Sequence, residues 1–217
     1  MDIEINTAMI IAGIKAQQTT GVIGADCKKK RELCEDVAKE GIMLLHLNFD
    51  HLLTLSNEVE VGSFLMKKML DQTRCLIGDK KTGEIEDRIS LYREPVNAFK
   101  YGFTQLSVSI AKRTCVVIDN YEYVLSLPKK MRHCVIGGPT FELCENWSCY
   151  NSSALIFSRC PLWWCEYDEN PNVSSVVYQR TIDYPLSRIN MALRDEIAMS
   201  VPAEDRAGFT WRIRDAK

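Results

Sequence analysis

The sequence predicts an α+β fold: a helical N-terminal part built on an αα-hairpin, then a strand-rich part with clustered cysteines, closed by a C-terminal helix. Three observations predict it. Apolar residues recur at helical spacing up to Gly78, β-branched runs bounded by turn residues dominate from Thr114, and four of the nine cysteines fall between residues 144 and 165. The two parts divide at residues 1–78 and 79–217 and are expected to form one compact unit, since 217 residues suffice for one large domain.

Along the chain, Ile3, Ile10, Ile11 and Ile14 place a helix within residues 3–18, interrupted by Thr19-Thr20-Gly21. A second helix is expected from about Cys27 to Leu55, on the face Leu33, Val37, Gly41, Leu44/Leu45 and Leu52, with a weak point near Asn48. Asn57 at N-cap and Glu60 at N3 then give a capping-box spacing. Val61, Phe64, Leu65, Met69 and Leu76 form the stripe of the next helix, Arg74 lies in its last turn, and Gly78 is placed to end it. These two helices make the expected hairpin.

Asp79 to Glu84 reads as an exposed polar turn, Ile85 to Arg93 as a short helix stopped by Pro95, and Val96 to Lys112 fits either helix or strand. From Thr114 the texture is that of strands. Cys115 to Ile118 and Tyr121 to Leu125 flank Asp119-Asn120 as a hairpin, and Val135-Ile136 ends at Gly137-Gly138-Pro139. Ala154 to Phe157 and Val173 to Tyr178 are further strands. Pro185 opens a helix through Ile189, Leu193 and Ile197 that ends before Pro202, and Phe209 to Ile213 alternates as an edge strand.

Apolar residues at 46% and charged residues at 26% are the balance of an ordered globular protein, and a net charge of −2 gives no global field for nucleic acid or an anionic membrane. No apolar run reaches the length of a membrane span, and Met1-Asp2-Ile3-Glu4 lacks a basic signal-peptide start, so a cytoplasmic, soluble protein is expected. In that compartment the sequons at Asn146, Asn151 and Asn172 carry no meaning, and nine cysteines are thiols or metal ligands. Cys27, Cys34, Cys75 and Cys115 read as buried small hydrophobes.

Few arrangements could carry chemistry. Cys144-x4-Cys149 and Cys160-x4-Cys165 could supply four thiolates to one zinc, with His133 or Cys134 able to replace a ligand. Against this, structural zinc favours Cys-x2-Cys knuckles, and Trp147, Trp163 and Trp164 occupy the spacers as core residues would. A cysteine nucleophile finds no base: His133 adjoins Cys134 on the opposite face of a strand, and His46 and His51 do not share a helical face. Asp50, four residues after His46, could pair with it. Neither Gly-x4-Gly-Lys-Ser/Thr nor Gly-x-Gly-x-x-Gly occurs, and Asp119, Glu122, Asp168 and Glu169 read as solvated carboxylates.

Lys28-Lys29-Lys30-Arg31 is a basic run at a helix start, which is unfavourable for the helix dipole and invites an external anion such as nucleic acid. Elimination favours a non-enzymatic interaction or structural subunit that binds protein partners, itself or others, of the kind viruses and mobile elements encode. The bunched aromatics between residues 147 and 184 suit an interface. A zinc-stabilised nucleic-acid-binding module and an enzyme with an unfamiliar site are the alternatives.

Overall fold

In a computed structural model the structure describes residues 2–23, 25–135, 151–159 and 181–183. Five strands, β1 (Thr20–Ile23), β2 (Met43–Asn48), β3 (Thr114–Asp119), β4 (Ser152–Ser158) and β5 (Thr181–Asp183), form one sheet in the order β2-β3-β4-β1-β5. Every pairing is parallel. The described part therefore mixes helices with one parallel sheet, in outline as the sequence predicts, although β1 and β2 fall within the part expected to be helical.

Parallel strands covered on both faces read as apolar runs rather than as alternation. β3 and β4 show this: all of Thr114 to Ile118 and all of Ser152 to Ser158 are buried. Their side chains still alternate between two cores. Cys115, Val117, Leu155 and Phe157 face α1 (Asp2–Lys15) and α2 (Cys27–Lys39), packing on Ile10, Ile14, Leu33 and Val37. Val116, Ile118, Ala154 and Ile156 face the larger core of α3 (Glu60–Ile77), α4 (Asp79–Ile89) and α5 (Pro95–Ser109), with Met66, Met69, Phe99 and Phe103 at its centre.

Local chemistry explains where expectation and structure part. The helix from Cys27 stops at Lys39 because Gly41 takes a left-handed φ of 73°. Leu44, Leu45, Leu47 and Leu52 then fit a strand as well as a helix, and residues 43–48 become β2, followed by a 3-10 segment over Phe49–Thr54. The αα-hairpin of residues 27–78 is thus corrected to helix, strand and helix. α3 begins at Glu60 with Val59 at its N-cap, so Asn57 and Glu60 do not take the expected capping-box positions. Asn57 Oδ1 instead orders the preceding turn, accepting from the amides of Val59 and Glu60 at 3.0 and 3.3 Å, while Glu60 accepts from the Ser56 amide at 3.4 Å. Gly78, at φ 83°, ends α3 as expected, yet α4 starts at once, so residues 79–84 are helix and not a polar turn. Pro95 opens α5 at its first position.

The expected hairpin at Asp119-Asn120 is also corrected. Asn120 adopts the left-handed conformation, and Tyr121–Ser126 continues as a 3-10 segment, not a returning strand. Val135 ends a short helix, α6 (Lys129–Val135), which also holds His133 and Cys134. The expected strands at 173–178 and 209–213 and the helix opened by Pro185 lie outside the described residues.

Strand β2 borders the described sheet, and an edge exposes unpaired backbone groups. Here Gln72 of α3 closes it. Its Oε1 accepts from the His46 amide and its Nε2 donates to the His46 carbonyl, both at 2.7 Å, so one side chain stands in for a neighbouring strand.

Candidate functional site

Because all strands run the same way, their carboxyl ends share one edge, which is where parallel α/β sheets hold ligands. Register places Asn48 beside Asp119, Ile118 beside Ile156, and Ile23 beside Ser158. Three residues, Gly24-Ala25-Asp26, then lead from β1 into α2. The Asp26 side chain caps α2 by accepting from the Lys29 amide at 2.8 Å.

The basic run fills the first turns of α2. Its members differ sharply in setting. Lys28 and Arg31 are exposed and lie 3.9 and 4.0 Å from Glu32 and Glu35. Lys30 instead falls on the face that continues as Leu33, Cys34 and Val37, three and four residues apart, and so turns toward the sheet. Its side chain is 16% exposed, its ammonium lies 5.6 Å from the centre of the Phe157 ring, and it pairs directly with Asp119 at the end of β3. Four cations at a helix N-terminus oppose the helix dipole, so the Asp119 carboxylate offsets a charge that the fold does not otherwise favour.

Beside this pair runs a groove of about 470 Å³ between α2 and β2, bordered by Cys34, Leu44, His46 and Phe157. Burial pushes the Cys34 thiol up to about 11, with the nearby Asp119 carboxylate adding to the effect. Burial also lowers His46 below its usual range, and Asp119 pulls it the other way. His46 sits in β2 and Asp50 in the 3-10 segment that follows, so the expected pairing between them does not form; Asp50 lies 3.6 Å from His51 instead.

Two further polar contacts lie at the same sheet edge. Asn120 donates from its side chain to Asn48 Oδ1 at 2.9 Å, tying the ends of β2 and β3. Glu122, 2% exposed at its side chain, accepts from the Arg159 backbone amide at 3.1 Å and from Arg159 Nε at 2.5 Å, just past the end of β4. The guanidinium also lies 5.9 Å from the Tyr123 ring centre. Such charge-assisted bonds are what make a buried carboxylate tolerable. Glu122 is therefore not the solvated carboxylate the sequence suggests, while Asp119 stays 41% exposed at its side chain and paired with Lys30; Asp168 and Glu169 lie outside the described residues.

Of the other expected site residues, Cys144, Cys149, Cys160 and Cys165 lie outside the described residues. Among the described residues no group of three His, Cys, Asp or Glu side chains could hold a metal. Cys115 is buried and its thiol pushed up to about 12 by desolvation, whereas Cys27 and Cys75 are exposed, contrary to expectation. Both sit on outward positions of their helices, where the stripe spacing does not reach. Among the described residues no helix is long and apolar enough to cross a membrane.

The sequence held a signal for Lys30 that motif matching misses. Lys30 lies on the stripe of Leu33 and Val37, and a lysine at a sheet-facing position is a charge the core alone would not choose. Gly24 also stands six residues before it, the spacing from the first glycine to the lysine of Gly-x4-Gly-Lys-Ser/Thr. Lys29 and Arg31 replace the second glycine and the hydroxyl residue, which is why the full pattern fails.

No protein-family model matches the chain, and no curated protein matches it. Among solved structures, the chain is similar to one in the structure of Drosophila ORC bound to AT-rich DNA and Cdc6, with 8% identity and a TM-score of 0.45, covering 98% of this chain and 68% of that one. It is similar also to the Aeropyrum pernix ORC1 protein in complex with DNA, with 12% identity and a TM-score of 0.45, covering 94% of this chain and 49% of that one. The site is accordingly read from its own residues.

Proposed function

We propose that this chain binds the phosphates of a nucleoside di- or triphosphate at the N-terminus of α2 and works as a nucleotide-responsive interaction subunit. The observation that carries the reading is the Lys30–Asp119 pair, formed between the first turns of the helix after β1 and the carboxyl end of an apolar strand. A strand, a glycine-bearing turn and a helix whose early lysine reaches phosphate is the arrangement of the P-loop, and an aspartate ending another strand of the sheet is its usual companion. In sequence Gly24 and Lys30 keep the glycine-to-lysine spacing, and Asp119 ends β3, which β4 separates from β1.

The departures set the role. Asn120 follows Asp119, so the strand end presents one carboxylate and then an amide, and an amide cannot take a proton from an attacking water. Binding without efficient hydrolysis fits a subunit that changes its contacts with protein partners when nucleotide is bound. Nucleic acid is the less supported occupant of the basic run, since Lys28 and Arg31 each lie beside a glutamate and Lys30 is turned inward.

Calorimetric titration with ADP and ATP tests the reading. One site per chain is expected, with Lys30→Ala weakening binding about tenfold or more, the loss of one charge-assisted phosphate contact. No heat up to millimolar nucleotide, or equal affinity in Lys30→Ala, would overturn it. Salt-dependent binding of DNA without nucleotide binding would move the function to the nucleic-acid reading.

A further inference from the structure

Phosphate sites of this kind ordinarily hold a magnesium ion, through the hydroxyl that follows the lysine and through the strand-end aspartate. The residues here do not fit that ion. Arg31 stands where the hydroxyl would be, and its guanidinium is exposed on the outer face of α2, 4.0 Å from Glu35. Asp119, the remaining carboxylate, carries the ammonium of Lys30. Magnesium demands near-ideal octahedral oxygen ligation, and a lone aspartate already paired with a lysine is a poor start for it.

We infer that the site binds nucleotide phosphates without a divalent cation, the cationic first turns of α2 supplying the neutralising charge. This rests on the nucleotide reading above and deepens it. Lys29 replaces an uncharged glycine and adds one positive charge beside Lys30, its side chain 14% exposed and 3.9 Å from Glu32, whereas Arg31 is turned outward to Glu35. Asp119 then has a different part. With no metal to hold, its carboxylate competes with the incoming phosphate for Lys30 and lowers affinity for the anion. Its charge also keeps the partly buried lysine paired while the site is empty.

The test is the affinity for ADP and for a non-hydrolysable ATP analogue, measured on the full chain in EDTA and in millimolar magnesium chloride. The wild-type protein is expected to bind within about twofold under both conditions. Asp119→Asn, which removes the competing charge, is expected to bind about threefold to tenfold tighter in EDTA, the range of a partly screened charge pair. Lys29→Gln, which removes the charge standing in place of the glycine, is expected to weaken binding in EDTA about threefold or more. Binding tighter by tenfold or more in magnesium, or an Asp119→Asn protein that binds more weakly in EDTA, would overturn this inference and leave the nucleotide reading standing. No binding in either condition would remove both. The wild-type comparison needs no variant to fold.

Discussion

The two faces of the sheet do different things. The face under α3, α4 and α5 is a continuous apolar layer in which Leu65, Met66, Met69, Phe99 and Phe103 are all buried. The face under α1 and α2 has a smaller core, and its apolar stripe runs out at Lys30, where the helix meets the sheet's carboxyl edge. Close packing gives stability on the first face; on the second, interrupting it leaves the groove and the ion pair. A charge tolerated where packing would be better is the mark of a site that serves binding.

Removing a large side chain from each face sharpens that contrast. Phe99→Ala should cost about 3–5 kcal/mol in denaturant unfolding, the usual range for a buried aromatic, with no change in nucleotide affinity in the folded protein. Phe157→Ala should cost a similar amount and also weaken nucleotide binding, because its ring lies beneath Lys30. Equal binding by the two variants would break the division of labour.

Gly62 of α3 packs against the Pro95 carbonyl at the start of α5, too close for any Cβ. Gly62→Ala should therefore destabilise the helical face by about 3 kcal/mol, the upper range for overpacking, and here against rigid backbone. Gln72→Ala should cost about 1 kcal/mol, since solvent can reach the His46 backbone groups it leaves unpaired, and should raise the tendency to self-associate through β2. Size-exclusion chromatography at increasing concentration reads the second effect.

The smallest effect is that of pH. His46 has its pKa lowered by burial, so the unfolded chain takes up its proton first as pH falls through about 6.5. Stability from the neutral imidazole is present above that pH and declines below it, levelling off under the folded-state value. His46→Gln should flatten the stability profile between pH 7 and 5. A profile unchanged by that substitution would show that His46 does not sense the groove.

Much of the fold was legible in single elements and little in their arrangement. The turn at Asn57, the stop at Gly78 and the strands around Val116 and Leu155 follow from turn chemistry and apolar runs. The parallel sheet did not follow, because Leu44, Leu45 and Leu47 suit helix and strand alike, and β1 is only four residues long. Without β1 and β2, β3 looked like half of a hairpin. The site was hidden for the same reason: Lys30 and Asp119 are 89 residues apart, and only parallel pairing brings their elements together. The basic run was visible as an anion signal, but not that Lys29 and Lys30 are largely covered while Lys28 and Arg31 are exposed, nor that Lys30 reaches Asp119.

A nucleotide seated at the carboxyl edge of the sheet, as proposed above, would be seen in amide chemical-shift mapping of the labelled protein titrated with ADP. The largest shifts are expected at Asp26 to Arg31, Asp119, Asn120 and Arg159, and small ones across α3 to α5. Saturable shifts centred on α3 to α5, or none at the first turns of α2, would contradict it.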